Sequence, residues 1–336
     1  MGKFFFIFVF TCSFLFGEKV IKIAEYNVQN LFDLQKSGHE YKEYIPFTKS
    51  NWNTKTYRIK LKHTARVIKE LDADIVALAE IESMIALKDL QRTLQGMGVY
   101  YKYIAIADAK PTTVKVAVLS KFPFSKKEVW VGRSYKYRNI LELKYSIDGE
   151  VFYLFVNHWK SKSGGESQRI VSAKALKKRL SQIGFDKNII ITGDFNSDYE
   201  EYIKFKRKRK LNDTHGKTGI NHILNTLHVK EDARDAKLQK DQLYNLWYDL
   251  PKDQRWNYIH RGEKENLDSI IISKPVLQRG GFEYIYKSFG VLKKPFLFYK
   301  KRINAWYIRY GHGTPRHMGK GYSDHLPIFA KFRINK

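Results

Sequence analysis

Short apolar runs alternate with stretches of helical spacing along most of the chain. Val20–Tyr26 reads as a strand, and Asp74–Ala79 (DIVALA) carries the continuous apolar run of a strand buried on both faces. Val114–Ser120, Ile140–Tyr145, Val151–Val156, Asn188–Thr192, Leu267–Ser273 and Leu326–Phe332 are short and β-rich, and predict further strands. Tyr57–Leu71 predicts a helix, with Leu61, Ala65, Ile68 and Leu71 on one face. Glu166–Ile183 predicts a second, basic helix with Ile170, Ala173, Leu176, Leu180 and Ile183 on one side. Strands mixed with helices predict a layered α/β domain. No repeat, low-complexity linker or domain boundary interrupts the pattern, so residues 18–336 read as a single domain.

The first residues break the pattern. Lys3 is followed by an apolar run, Phe4–Phe16, and then by the small residue Gly17. The run is too short to span a bilayer comfortably as a helix and fits an export signal over residues 1–17. The plain alternative is a buried first strand or helix, which the charged Glu18–Lys19 pair after so Phe-rich a stretch disfavours. The mature chain is thus expected to be secreted or periplasmic, with no transmembrane segment. The single cysteine, Cys12, lies inside the signal, so the mature chain needs no disulfide. Acylation of Cys12, as in a lipoprotein, is the minor alternative.

Composition excludes disorder as the main state, at 43% hydrophobic and 28% charged. Charge changes the picture more: 61 Lys and Arg face 34 Asp and Glu, for a net of +27. Loss of the signal removes only Lys3 from that total. Such a field concentrates polyanions, nucleic acid first and an anionic membrane surface second. Two intervals focus it. Residues 200–266 contain the basic run Lys204–Lys210, and residues 275–322 interleave Phe296, Phe298, Tyr299, Trp306 and Tyr307 with Lys300, Lys301 and Arg302. Cations beside exposed rings suit a polynucleotide. A solvated charge run and a second small core are the plain readings of the same residues.

Six segments bring a carboxylate, amide or imidazole to the end of an apolar run, where a strand would deliver it to one rim of a sheet. Asn27 follows Ile23-Ala24-Glu25-Tyr26, and alone would be an ordinary turn residue. Glu80 ends Ala77-Leu78-Ala79; an acid at a buried strand's exit must be paired or bind a cation, and hard divalent cations take carboxylate oxygen. His158 ends Leu154-Phe155-Val156-Asn157 and precedes Lys160, Lys162 and Gly164-Gly165. In Thr192-Gly193-Asp194-Phe195-Asn196, Gly193 permits a close backbone approach, and Asp194 and Asn196 point the same way in extended chain. An acid and an amide so placed can orient a water and hold a phosphate oxygen; an Asx-rich turn is the bland alternative. Asp268 opens Leu267–Ser273, and Asp324-His325 precedes the last strand. A histidine held by a carboxylate makes a good general base. Asp268 is that carboxylate if the two strands are neighbours, because Asp324 is too close in sequence.

In this order the segments resemble the endonuclease/exonuclease/phosphatase (DNase I-like) family, which includes DNase I, apurinic endonucleases, sphingomyelinases and inositol polyphosphate phosphatases. GDFN at residues 193–196 and SDHLPI at 323–328 are its specific part, and the resemblance runs from about Ile21 to Phe332. NHWKSKSGGESQR and LYNLW, RWNY and LDSIIIS look most like bacterial extracellular nucleases. The resemblance implies a four-layer α-β-β-α sandwich of two mainly antiparallel sheets. It implies Mg²⁺ or Mn²⁺, with Ca²⁺ as an assisting ion, held mainly by Glu80 with Asn27 and Asp324 as further metal positions. Asn27, Asp194 and Asn196 would bind or orient the phosphate, the metal or the attacking water. His158 would stabilise the phosphate, Asp268 would polarise His325, and His325 with Asp194 would activate water. Ala79 stands where many relatives have Gln, and Ser269 where His or Tyr is frequent; both bear on substrate class rather than on chemistry.

The leading expectation is a secreted DNA endonuclease leaving 5′-phosphate and 3′-hydroxyl ends, with RNA as the alternative polymer and no obligatory protein partner. Arg138, Lys160 and Arg169 are the expected phosphate contacts. The runner-up is a phospholipid or inositol phosphate phosphoesterase, which an exposed apolar hairpin within Tyr284–Phe298 would favour. A non-catalytic binding or toxin subunit would have lost Glu80 or His325, and both are present.

Overall fold

The computed structural model describes residues 18–206, 208–226, 233–234, 236–278, 280–311 and 313–335. The expected export signal and Cys12 lie outside the described residues, as does Arg207 in the basic run. Among the described residues, no helix is long and apolar enough to cross a membrane.

The chain opens with β1 (Lys19–Leu31), α1 (Thr54–Leu71), β2 (Ile75–Ile81), α2 (Met84–Gln95), β3 (Tyr103–Ile106) and β4 (Lys115–Ser120). It continues with β5 (Phe124–Val129), β6 (Ile140–Ile147), β7 (Glu150–His158), α3 (Glu166–Ile183), β8 (Asn188–Asp194) and β9 (Leu243–Asn245). A short hairpin follows, β10 (Tyr258–His260) with β11 (Glu263–Glu265), and then the longer strand β12 (Asp268–Ser273). The last third holds β13 (Phe282–Tyr284), β14 (Gly290–Val291), the hairpin β15 (Phe298–Tyr299) and β16 (Arg302–Ile303), the pair β17 (Ile308–Arg309) and β18 (Arg316–His317), and β19 (Ile328–Ile334).

Two sheets result. The first runs β13-β19-β1-β2-β4-β3, with β14 also on β19; the second runs β5-β6-β7-β8-β12-β9. Each has one parallel pair near its centre, β1–β2 and β7–β8, and is otherwise antiparallel. The parallel pairs are the two places where a helix, α1 or α3, carries the chain back to the starting edge, as a parallel connection requires.

Period-2 alternation sorts the side chains between layers. Ile21, Ile23, Ile75, Ala77, Val116 and Val118 of the first sheet meet Leu141, Leu143, Leu154, Val156, Ile190 and Ile270 of the second. The opposite face of the first sheet, including Ala24, Tyr26, Val76 and Leu78, packs on Leu61, Ala65 and Ile68 of α1 and Leu87 and Leu90 of α2. On the second sheet, Phe155, Ile189, Ile191 and Ile271 pack on Ala173, Leu176 and Leu180 of α3. The order helix, sheet, sheet, helix is the expected α/β sandwich.

Parallel pairing and the antiparallel neighbours together decide where function can sit. β1, β2, β7 and β8 end at one rim of the sandwich, and β12 and β19 start there, because β12 is antiparallel to β8 and β19 to β1. Asp194 is the cross-strand partner of both His158 and Asp268. Gly193 is required at this point: a Cβ there would fall 2.0 Å from the Asn157 carbonyl oxygen of β7.

The apolar hairpin expected within Tyr284–Phe298 is not exposed. β13 and β14 both pair with β19, and Tyr284, Phe289, Leu292 and Leu297 are buried. Their apolar side chains complete the sheet and its packing, so the segment offers no membrane-entering surface.

Candidate active site

Asn27 at the rim of β1 donates from Nδ2 to Glu80 Oε1 at 3.1 Å and to Asp194 Oδ2 at 3.0 Å, linking both sheets. Glu80 adopts a left-handed backbone, φ 67°, as β2 breaks register with β1. A non-glycine residue held there costs of order 1–3 kcal/mol, and such positions cluster at functional sites. His158 places Nε2 3.8 Å from Glu80 Oε1 and 3.6 Å from Asp194 Oδ2. Asn196, also left-handed at φ 49°, donates its backbone N–H to Asp194 Oδ1 at 2.8 Å and its Nδ2 to the Trp159 carbonyl at 3.3 Å.

Asp268 opens β12, and His325 reaches it from the segment ahead of β19, where it bridges Tyr258. His325 Nδ1 lies 2.6 Å from Asp268 Oδ2, while Asn257 Nδ2 donates to the same oxygen and Tyr258 packs on the imidazole at 4.7 Å between ring centroids. Their strands are not sheet neighbours; the contact crosses the interior of the sandwich. Ser323 locks the far side, donating from Oγ to the Asn27 carbonyl at 2.7 Å and accepting the His325 N–H at 3.1 Å. Asp324 is half-buried beside this cluster.

The electrostatics follow from crowding acids at a dry rim. Burial first, then Asp324, raises the pKa of Glu80, against the lowering influence of His325 and Asn27. Burial and the Asp268 charge push Asp194 up to about 7. Burial and then Arg138 push His158 well below the imidazole range, so it is neutral. Burial would lower His325 too, but the charge and hydrogen bond of Asp268, with Asp324 and Asp194, outweigh it and raise the group well above the imidazole range.

Among the described residues, two triplets offer ligand atoms mutually within 4.8 Å: Glu80, His158 and Asp194, and Asp194, Asp268 and His325. Glu80 and Asp194 are oxygen donors of the kind a hard divalent cation takes, and a cation there would offset the burial and the repulsion that raise the two carboxyl pKa values; Asn27 turns its Nδ2 to both carboxylates and its Oδ1 to the Gln29 N–H. The residues fit such an ion.

Of the expected phosphate contacts, Arg138 and Lys160 are half-buried beside His158; Lys160 is lowered by burial and by the neighbouring Arg138 and Lys136. Arg169 is not such a contact. It is fully buried, pairs through Nε with Glu166 Oε2 at 2.7 Å and holds the carbonyls of Lys160, Ser161 and Gly164 at 3.2–3.4 Å. Its charge is consumed in fixing the loop that carries Lys160. In the basic run, Lys204 pairs with Asp198, Phe205 is buried, and Lys206, Lys208, Arg209 and Lys210 are solvated.

Glu25 was not legible as a site residue. It faces the sheet interior two residues before Asn27, fully buried, with neither carboxyl oxygen hydrogen-bonded among the described residues. Burial, Asp268 and Asp194 hold its pKa well above the carboxylate range. An acid in the middle of an apolar strand run was the available signal. Asn257 and Ser323 carried no such signal, because their roles depend on loop geometry.

A rim built from two facing sheets, with acids, amides and imidazoles converging from six segments, defines a phosphoesterase-type site on an α-β-β-α sandwich. The chain belongs to the Endonuclease/Exonuclease/phosphatase family, which it matches over residues 22–334. Solved structures of the same fold include truncated Caenorhabditis elegans TDP2, at 16% identity over 93% of this chain and 97% of that one, with a TM-score of 0.55. An AP endonuclease from Archaeoglobus fulgidus is 15% identical over 92% and 98%, with a TM-score of 0.56. A mannosyl-6-phosphatase from Bacteroides thetaiotaomicron is 15% identical over 93% and 99%, with a TM-score of 0.51. No curated protein matched the sequence.

Proposed function

We propose that the protein is an exported, divalent-metal-dependent endonuclease that hydrolyses DNA phosphodiester bonds. The observation that carries the chemistry is the convergence of Asn27, Glu80, His158, Asp194, Asp268 and His325 at one rim. The choice of DNA rests on the net charge of +27, on Arg138 and Lys160 beside the site, and on the AP endonuclease among the proteins that share the fold. Export rests on residues 1–17, and the mature chain keeps all of the site.

Glu80, with Asn27 and Asp324, would hold Mg²⁺, or Mn²⁺ in its place. The bound ion supplies Lewis acidity that offsets negative charge gathering on the phosphoryl oxygens. Neutral His158 and the Asn196 amide hold the scissile phosphate. The Asp268 bond occupies His325 Nδ1 and leaves Nε2 as the atom for the reaction. Asp194 takes a proton from water, whose oxygen attacks phosphorus in line as the bond to the 3′-oxygen breaks, while His325, kept protonated by Asp268, stabilises the phosphoryl oxygens from Nε2. A proton returns to that oxygen, giving 5′-phosphate and 3′-hydroxyl ends.

The test is closed circular plasmid DNA incubated with the protein and Mg²⁺, with parallel EDTA and His325→Ala reactions. Nicking that needs both metal and His325 supports the reading. Intact DNA with Mg²⁺, Mn²⁺ and Ca²⁺ all tried would sink it.

A further inference from the structure

The aromatic-basic interval at residues 275–322 is not used by the chemistry above, yet half of it borders the site. The hairpins β10–β11 and β15–β16 form two walls of a cleft of about 680 Å³ that opens onto Asp324. Arg261, Lys264, Lys300, Lys301 and Arg302 line it, all exposed, and Asp324 is the only acid in the lining. None of the five cations makes an ion pair among the described residues. Elsewhere the protein pairs its cations readily, as Lys162 does with Glu201 and Glu265 at 3.1 Å each. Lys264 rests over the Trp256 ring and Lys300 over the Tyr299 ring, at 4.8 and 5.6 Å, so five like charges without a counter-charge surround a concave wall, repel one another and focus a positive field.

Turn chemistry points the same way. Both hairpins close through two-residue loops, and each loop has φ above zero at both central positions: 50° and 90° at Arg261-Gly262, 46° and 64° at Lys300-Lys301. Asn and Gly are the residues such turns favour, and a lysine at both central positions is locally unfavourable. The chain carries charge at these tips against backbone preference.

The cleft does not end at the cations. Arg302, Ile303 and Ala305 are shared with a second cleft lined by Tyr299, Tyr307 and Lys320. Tyr299 and Tyr307 are 64% and 50% exposed, while Trp306 between the strands is buried and anchors the segment, its backbone bonded to the Gln29 side chain at 2.8 and 3.2 Å. A path therefore leads from Asp324 past five cations to two presented rings. Phosphates match the first stretch and base faces the second, and base faces are available only where the strand is unpaired.

We propose that this path is a binding site for an unpaired polynucleotide strand, which it threads to the catalytic rim. The proposal rests on the reading of the site as a nuclease acting on DNA. It commits the substrate to a single-stranded or locally opened form, and it assigns phosphate recognition to Lys300, Lys301 and Arg302 and stacking to Tyr299.

The test measures binding of a fluorescent single-stranded oligonucleotide and of a matched blunt duplex in EDTA, across a salt series. Hydrolysis of bis(p-nitrophenyl) phosphate with Mg²⁺ is followed in parallel, because that small diester does not reach the cleft. Lys300→Glu with Lys301→Glu is expected to weaken single-strand binding at least tenfold. It is also expected to flatten the log–log salt slope by roughly 1.4, the loss of two phosphate contacts on a single strand. Tyr299→Ala is expected to cost about tenfold on the single strand and little on the duplex. Arg261→Glu, on the other hairpin, guards against an effect of misfolding at one tip. All variants are expected to hydrolyse the small diester like the wild type. Unchanged oligonucleotide binding with small-diester hydrolysis intact overturns the strand path and leaves the phosphodiesterase reading standing. Loss confined to anionic vesicles, with oligonucleotide binding unchanged, reassigns the face to a membrane. Failure of the wild type to hydrolyse either diester refutes the catalytic reading instead.

Discussion

His325, ahead of β19, and Asp268 of the second sheet share a 2.6 Å contact that no sheet pairing between their strands imposes. The acid is itself held from behind, by Asn257 on its carboxylate and by Trp247 Nε1 on its carbonyl at 2.8 Å. The two residues are expected to behave as one unit. Asp268→Asn and His325→Ala should each lower the rate of plasmid nicking by about 10²–10⁴-fold. The double variant should fall no further than the worse single one. Multiplicative losses would show that the pair does not act together.

Glu80 is strained, crowded by Asp324 and raised in pKa by burial. Glu80→Gln is therefore expected to melt at a higher temperature than the wild type in EDTA. Addition of Mg²⁺ or Mn²⁺ should reverse the ranking, because an ion at a hundred times its Kd stabilises the protein that binds it by about 2.7 kcal/mol. Thermal melts in EDTA and in each metal check both halves, and an equal metal response in the two proteins would remove Glu80 from the ion's site.

Arg169 and Arg138 should separate cleanly. Arg169→Met strands the buried Glu166 carboxylate, and is expected to cost about 3–5 kcal/mol in urea unfolding while leaving KM for DNA unchanged at temperatures where the variant is folded. Arg138→Met should raise KM with little effect on stability. A KM effect at Arg169 comparable to that at Arg138 would restore it as a substrate contact.

His317 supplies a pH signature away from the site. It is buried, accepts from Trp306 Nε1 at 2.9 Å and contacts the Glu43 carbonyl, and burial lowers its pKa to about 4. Between pH 4 and 6.5 the unfolded chain holds a proton here that the folded chain lacks, so stability falls as pH falls through that window and levels off below it. The full loss is about 3 kcal/mol. Urea midpoints at pH 7 and pH 4.5 measure it, and His317→Phe should flatten the difference.

Eight strands of the two sheets and two long helices were legible because apolar runs and helical faces state them directly; α2 and the short strands β3 and β5 were not predicted. Glu166–Ile183 forms the helix with the bounds its spacing predicts; β1 extends past Tyr26 to Leu31, while β4 and β12 each start one residue later than predicted and β19 is shifted by two. The site's six segments were legible for a related reason: each polar group stands where an apolar run stops. Arg169 misled because its surroundings are basic in sequence, while its partner Glu166 lies one helical turn away and the pair is sealed by the carbonyls of the preceding loop. Tyr284–Phe298 misled because its apolar residues belong to short strands added to β19, a pairing between segments some forty residues apart. The hairpin tips were readable as charge but not as a wall, since nothing local says which loops face one another.

The bridge from Asn27 to Asp194, and that from Asp268 to His325, both span the gap between the layers. Turnover is therefore a gauge of how the layers are aligned. A slide of one layer by a fraction of an ångström, too small to alter secondary structure or expose apolar side chains, would part both bridges together. Inactivation by heat or mild denaturant should run ahead of the circular dichroism change, and the interval between the two curves reports the stiffness of the interior.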